Sequence, residues 1–264
     1  MRTRIPDVVL QSVVFLGHKN KDKNVSLKGT GFFVAVENVF GAQTYLVTAK
    51  HIAILLGESF ILRMNRKDGI SHDIPIDPPR KWYFHPYESD CVDVAVMPMV
   101  PNESRFEYKP LSSDMINDSL VTQNNAGIGD TVFFPGLFSN LSEAPMNLPI
   151  MRHGNIAMLS KGRFVPSQMY GRIEAHLVEA RSIGGLSGSP AFVYLGDHFF
   201  LLGLIHGHWM TGGKQANDRI ITTDNVNMGI AMVVPAGKII ETINQRELIK
   251  QREEKIRKYQ LTHN

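Results

Sequence analysis

The chain has 264 residues, 43% of them apolar and 20% charged, with a formal net charge of +3. That composition supplies a sizeable core and excludes global disorder, and the scattered positive charge forms no Lys/Arg stripe, so no nucleic-acid partner is expected. A single cysteine, Cys91, excludes an intramolecular disulfide, so packing must stabilise the fold and a reducing, cytoplasmic compartment is expected.

The chain opens MRTRIPDVVLQSVVFLG, with positive charge ahead of apolar residues. Pro6 and Asp7 interrupt it early, and no small-residue cleavage site follows, so it does not read as a secretory signal. Residues 8–16 instead read as a first strand. No apolar run approaches the length of a membrane span, so no membrane partner is expected. Further strand-type runs follow at 31–39, 43–49, 93–99 and 131–137, and then at 172–180, 191–195, 199–205 and 229–234. They are rich in Val, Ile, Phe and Tyr and punctuated by Gly, Asn, Asp and Pro. RIEAHLVEA (172–180) alternates as one half-buried strand, with Ile173, Ala175 and Leu177 on its apolar side. This spacing predicts an all-β barrel or sandwich. Residues 100–125 are polar and poor in strand pattern, which suits a connection between lobes.

From Ala236 the period changes. Ile239, Ile240, Ile243, Leu248, Ile249 and Ile256 recur at helical spacing after Pro235, predicting a C-terminal helix. Its first half is expected to dock on the β-structure. The charged second half, 246–259, is expected to be a solvated tail, with a partner-binding helix as the alternative.

Three short motifs carry candidate chemistry. Gly29-Thr30-Gly31-Phe32-Phe33-Val34 precedes a strand that ends in Thr48-Ala49-Lys50-His51. Asp93-Val94-Ala95-Val96 comes next, and Gly184-Gly185-Leu186-Ser187-Gly188-Ser189-Pro190 last. A serine hydroxyl is a weak nucleophile until a neighbouring base takes its proton, and glycines let backbone N–H groups gather around an oxyanion. Asp90 competes with Asp93, but the aliphatic run directly after Asp93 favours the latter. An α/β-hydrolase elbow is excluded, because G-x-S-x-G fails at Ser189 and AFVYL follows instead of a helix. Cys91 lies in no Gly-rich turn and reads as a small packing residue. No paired Cys/His set accompanies His206 and His208, so no metal site is expected, and no cofactor is needed.

In this order and spacing the motifs resemble the chymotrypsin-like serine peptidases, over residues 8–245. The disulfide-free chain is more similar to HtrA-type and other bacterial trypsin-like members than to secreted digestive enzymes. The resemblance implies two antiparallel six-stranded β-barrels with the active site between them. It implies an N-terminal lobe at 1–105, a connection at 106–118, a C-terminal lobe at 119–235, and a helix with a charged tail at 236–264. It implies a catalytic triad of His51, Asp93 and Ser187, with oxyanion donors from Gly185 and Ser187. Leu186 stands where zymogen-type relatives carry an Asp, which argues against activation by N-terminal cleavage.

Arg181 and Ser182, with His206, Gly207 and His208 on the following strand, are the residues the resemblance implies for substrate binding. A cation at 181 would favour an acidic substrate side chain. The expected activity is endopeptidase hydrolysis of a protein or peptide substrate through an acyl-enzyme. The alternatives are a non-catalytic binding module on the same fold and a serine esterase. A regulatory partner could dock through the C-terminal helix.

Overall fold

The computed structural model describes residues 5–20, 22, 24–38, 41–116, 126–138, 141, 144–180, 184–196, 198–210 and 227–263. The first element departs from the expected strand at 8–16. Asp7–Gln11 forms a single helical turn, α1, and strand β1 (Val13–Lys19) starts only after it. Pro6 supplies a suitable φ of −62° at the helix entry, and Asp7 sits where the helix dipole favours negative charge. The buried Ser12 closes the turn, donating from Oγ to the Val9 carbonyl and from N to the Val8 carbonyl.

The rest of the first lobe is strand and one short helix. In order these are β2 (Val25–Asn38), β3 (Gly41–Thr48), helix α2 (Lys50–Leu56), β4 (Ile61–Asn65), β5 (Ser71–Pro75), β6 (Tyr83–Phe84), β7 (Ala95–Pro98) and β8 (Leu111–Ser112). The sheet runs β5-β4-β1-β2-β3-β7-β6, with β8 pairing parallel to β2. Among the described residues this path is open, where the sequence led us to expect a closed six-stranded barrel. Beyond the two-residue β6 the next partner is a helix: the Phe84 carbonyl accepts Gln245 Nε2, and Tyr83 OH is held by Glu247 and Gln251.

The second lobe is the closed barrel. Strands β9 (Thr131–Gly136), β10 (Ile150–Met158), β13 (His176–Glu179), β14 (Pro190–Leu195), β15 (His198–Met210) and β16 (Asn227–Pro235) close in the order β10-β13-β16-β15-β14-β9. A separate hairpin, β11 (Phe164–Ser167) with β12 (Gly171–Glu174), stands off it. The expected single strand at 172–180 is therefore two. Ile173 and Ala175 are buried in phase, but the next fully buried apolar residue is Val178 instead of Leu177. That one-residue slip switches faces, and the chain leaves the hairpin for the barrel there.

Helix α3 (Ala236–Ile243) packs across β7 of the first lobe and β15 of the second, burying Ile239 and Ile243. Helix α4 (Arg246–His263) continues where a solvated tail was expected. Leu248 is buried completely, Arg252 donates to Tyr45 OH (2.7 Å), and Lys255 donates to Gln43 Oε1 (2.6 Å). Arg252, Lys255 and Glu247 thus anchor the helix onto the first lobe, while most of its other charged residues are exposed as expected. No helix of the described residues is long and apolar enough to cross a membrane.

Candidate active site

The first two motifs meet through strand register. β3 and β7 pair antiparallel with Thr48 opposite Ala95, so the residues just past each strand end converge. His51 lies in the first turn of α2. Its backbone N–H is one of the donors a helix start leaves without an internal partner, and Asp93 Oδ1 accepts it at 2.9 Å. Asp93 Oδ2 accepts from His51 Nδ1 at 2.7 Å. One carboxylate thus holds both the main chain and the ring of His51, and leaves Nε2 of that ring available as a base.

Asp93 is completely buried, and a charge there needs partners. It has four. Besides the two from His51, His206 Nδ1 meets Oδ2 at 2.5 Å and Tyr170 OH donates to Oδ1 at 2.9 Å. Burial alone would push this carboxyl up, but the hydrogen bonds from His206 and His51 outweigh it and hold Asp93 well below the usual carboxylate range. Burial, reinforced by the neighbouring Asp93 charge, pushes the Tyr170 phenol up, so it stays a donor.

Ser187 belongs to the turn that leads into β14, and the first lobe ties that turn down. Thr30, from the Gly-Thr-Gly run of β2, is fully buried. Its N–H donates to the Ser187 carbonyl (3.0 Å), and its hydroxyl donates to the Gly185 carbonyl (2.8 Å) while accepting the Leu137 N–H (2.9 Å). Thr48 Oγ1 in turn donates to the Thr30 carbonyl (2.7 Å). Gly188 has φ +85°, and a Cβ there would overlap the Thr30 carbonyl oxygen, so only glycine fits. Gly185 has φ +98°. Among the described residues no acceptor takes the N–H groups of Gly185 and Ser187, so both remain open to a ligand oxygen. Leu186 is wholly buried in the second-lobe core, and Ser189 is buried behind it. The Ser187 hydroxyl donates to the His206 carbonyl (3.2 Å).

A cavity of about 370 Å³ opens beside Ser187, lined among others by Met169, His206, His208, Trp209 and Met232. His206, Gly207 and His208 all border it, as the sequence suggested, but in different ways. Both ring nitrogens of His206 are engaged, with Asp93 and with Ser167 Oγ (3.3 Å). His208 is half-buried, and burial lowers its pKa, favouring the neutral ring. Arg181 and Ser182 lie outside the described residues.

The hairpin contributions of Ser167 and Tyr170, and the strap made by Thr30, were missed in the sequence. The hairpin had a signal: Phe164–Ser167 and Gly171–Glu174 flank a short turn ending in Gly171 at φ +68°. Lys50 adds a further contact, donating to the Ser89 carbonyl at 2.5 Å and lying over the rings of Phe84 and Tyr170.

His51, Asp93 and His206 also form a group of potential metal ligands. Two ligands of one tetrahedral zinc ion stand about 3.3 Å apart. The two imidazole nitrogens sit 2.7 and 2.5 Å from one carboxylate oxygen, which is hydrogen-bond spacing. No family model and no curated protein matches the chain.

Proposed function

We propose that the chain is a chymotrypsin-like serine endopeptidase, with Ser187 as nucleophile, His51 as general base and Asp93 as the group that orients and stabilises the imidazolium. The observation that carries this reading is the doubly held His51: Asp93 binds its ring and its backbone at once, beside a tight turn that presents a serine and two unpaired N–H groups. The all-β architecture, with one closed six-stranded barrel facing a second β-lobe, is compatible with it.

The chemistry follows from the geometry. The Nδ1–H bond to Asp93 fixes the tautomer that leaves His51 Nε2 unprotonated. Ser187 Oγ is bonded to the His206 carbonyl at rest, so rotation about its Cα–Cβ bond must first bring it to His51. Oγ then attacks the substrate carbonyl carbon and His51 Nε2 takes its proton. The oxyanion meets the N–H groups of Gly185 and Ser187. Each such donor is worth roughly 100- to 1,000-fold in rate. His51 returns the proton to the departing amine, and water, deprotonated by His51, releases the acyl group. The cavity beside Ser187 takes a substrate side chain, and the mixture of Met169, Trp209 and Met232 around it suits an apolar one.

A fluorophosphonate probe tests the reading. Wild-type protein should label at one site, and Ser187→Ala and His51→Ala should each abolish labelling. Labelling that survives Ser187→Ala would overturn the assignment. A peptide library alongside small ester substrates then distinguishes endopeptidase from esterase.

A further inference from the structure

We infer that His206 is a positioning residue of the site, a second imidazole that shares the Asp93 carboxylate with His51 and sets how strongly that carboxylate holds the first. This inference rests on the serine-hydrolase reading for its effect on rate, though not for its geometry.

The tautomer of His206 follows from its neighbours. Ser167 Oγ accepts the N–H groups of Met169 (3.3 Å) and Tyr170 (3.4 Å), which leaves the hydroxyl proton to point at His206 Nε2 (3.3 Å). With Nε2 accepting, the ring proton must sit on Nδ1, and Nδ1–H donates to Asp93 Oδ2 at 2.5 Å. A neutral ring is thereby locked in one orientation by the β11–β12 turn. The groups facing it are Asp93, the edge of the His51 ring at a centroid separation of 5.5 Å, and Tyr170 at 5.8 Å, whose ring the Lys50 ammonium also meets.

The sharing has a direction. His51 and His206 both donate to the same oxygen, Oδ2. An oxygen already accepting from His206 offers less to a protonated His51, so it stabilises the imidazolium less. The His206 bond therefore weakens the hold of Asp93 on the first ring, and removing it strengthens that hold. Because Ser167 sits on a hairpin that also lines the cavity, occupancy of that cavity bears on the same bond.

The experiment compares the pH dependence of probe labelling in wild type, His206→Leu, His206→Asn and Ser167→Ala. His206→Leu removes the donor and should move the acid limb upward by about one pH unit, the value of one hydrogen bond to a charged acceptor. His206→Asn keeps an N–H near the Nδ1 position and should restore the limb most of the way. Ser167→Ala frees the tautomer and should give a smaller upward move. An unchanged limb in His206→Leu, with only the rate lowered, overturns the inference, as does an equal move in the Asn variant. Proton NMR reads the geometry without activity. Wild type should show two far-downfield imidazole N–H signals, one lost in His51→Ala and the other in His206→Leu. A single such signal in wild type overturns the inference whether or not Ser187 labels, whereas two signals without labelling would sink only the hydrolase reading.

Discussion

The two ends of the candidate site are built differently. At the carboxylate end every acceptor position is occupied: Asp93 takes four donors, from α2, β15 and the β11–β12 turn. At the hydroxyl end the backbone is just as firmly held, through Thr30 and Gly188, but Ser187 Oγ rests on a carbonyl away from its proposed base. Charge is fixed at one end, and at the other the proposed mechanism asks a single side-chain torsion to turn. A buried carboxylate tolerates no loose partner, since each missing donor would cost about 1–3 kcal/mol, while a neutral hydroxyl can exchange acceptors at little cost.

Substitutions at each end sharpen that contrast. Ser187→Ala removes the free end and should lower turnover by about 10⁶-fold with little loss of thermal stability, because its hydroxyl makes a single part-buried bond, to the His206 carbonyl. Asp93→Asn strikes the fixed end. It should cost about 10⁴-fold in turnover, and it should also destabilise, since an amide cannot accept all four donors. An Asn variant as stable as wild type would contradict the saturated carboxylate.

A third measurement separates the site from the barrel behind it. His176 is buried and accepts the Ser160 N–H on Nδ1, and burial lowers its pKa to about 4. The folded state therefore resists a proton that the unfolded chain accepts near pH 6.5. Stability should be level above that pH and fall by about 3 kcal/mol between pH 6.5 and 4, then level off from this source. Asp93, with its depressed pKa, contributes stability that is lost as pH falls through the ordinary carboxylate range and below it, so its window begins about where that of His176 ends. Urea midpoints across pH 4–8 check this; a flat profile in His176→Gln against a sloping wild type assigns the slope. The smallest effect is expected for Thr30→Val, which keeps shape and loses the hydroxyl bonds to Gly185 and Leu137. Stability should drop by about 1–2 kcal/mol, and labelling should slow about tenfold as the serine turn loosens. Unaltered labelling would show that the strap is dispensable.

Much of the site was legible in the sequence because its parts are contiguous. Thr48-Ala49-Lys50-His51 ends one strand and Asp93-Val94-Ala95-Val96 begins another, and the register of β3 with β7 needs no further information to bring them together. The glycines of 184–188 announced a turn that needs positive φ, and Gly185 at +98° and Gly188 at +85° supply it. What escaped notice depends on long-range packing. Tyr170 and His206 reach Asp93 across 77 and 113 residues, and no local period encodes such a meeting. His206 was read as a candidate for substrate contact, yet its ring turns inward to the carboxylate, because β15 carries an irregularity between Ile205 and Gly207 that shifts the facing of the strand there. The anchored α4 escaped notice because its charged residues looked solvated in sequence, and only the fold reveals that Arg252 and Lys255 face Tyr45 and Gln43.

The clasp formed by α3 has a consequence for the order in which the site can mature. His85 and Glu88 flank the turn that carries Asp93, and they are held by Glu241 and Lys238 of α3. A ribosome delivers that turn long before it delivers its clamp. The contact of the first lobe with α3 therefore closes over a long sequence separation, and such distant closures are slow relative to local ones. That closure steadies the segment just ahead of Asp93, on which the chemistry proposed for Ser187 rests.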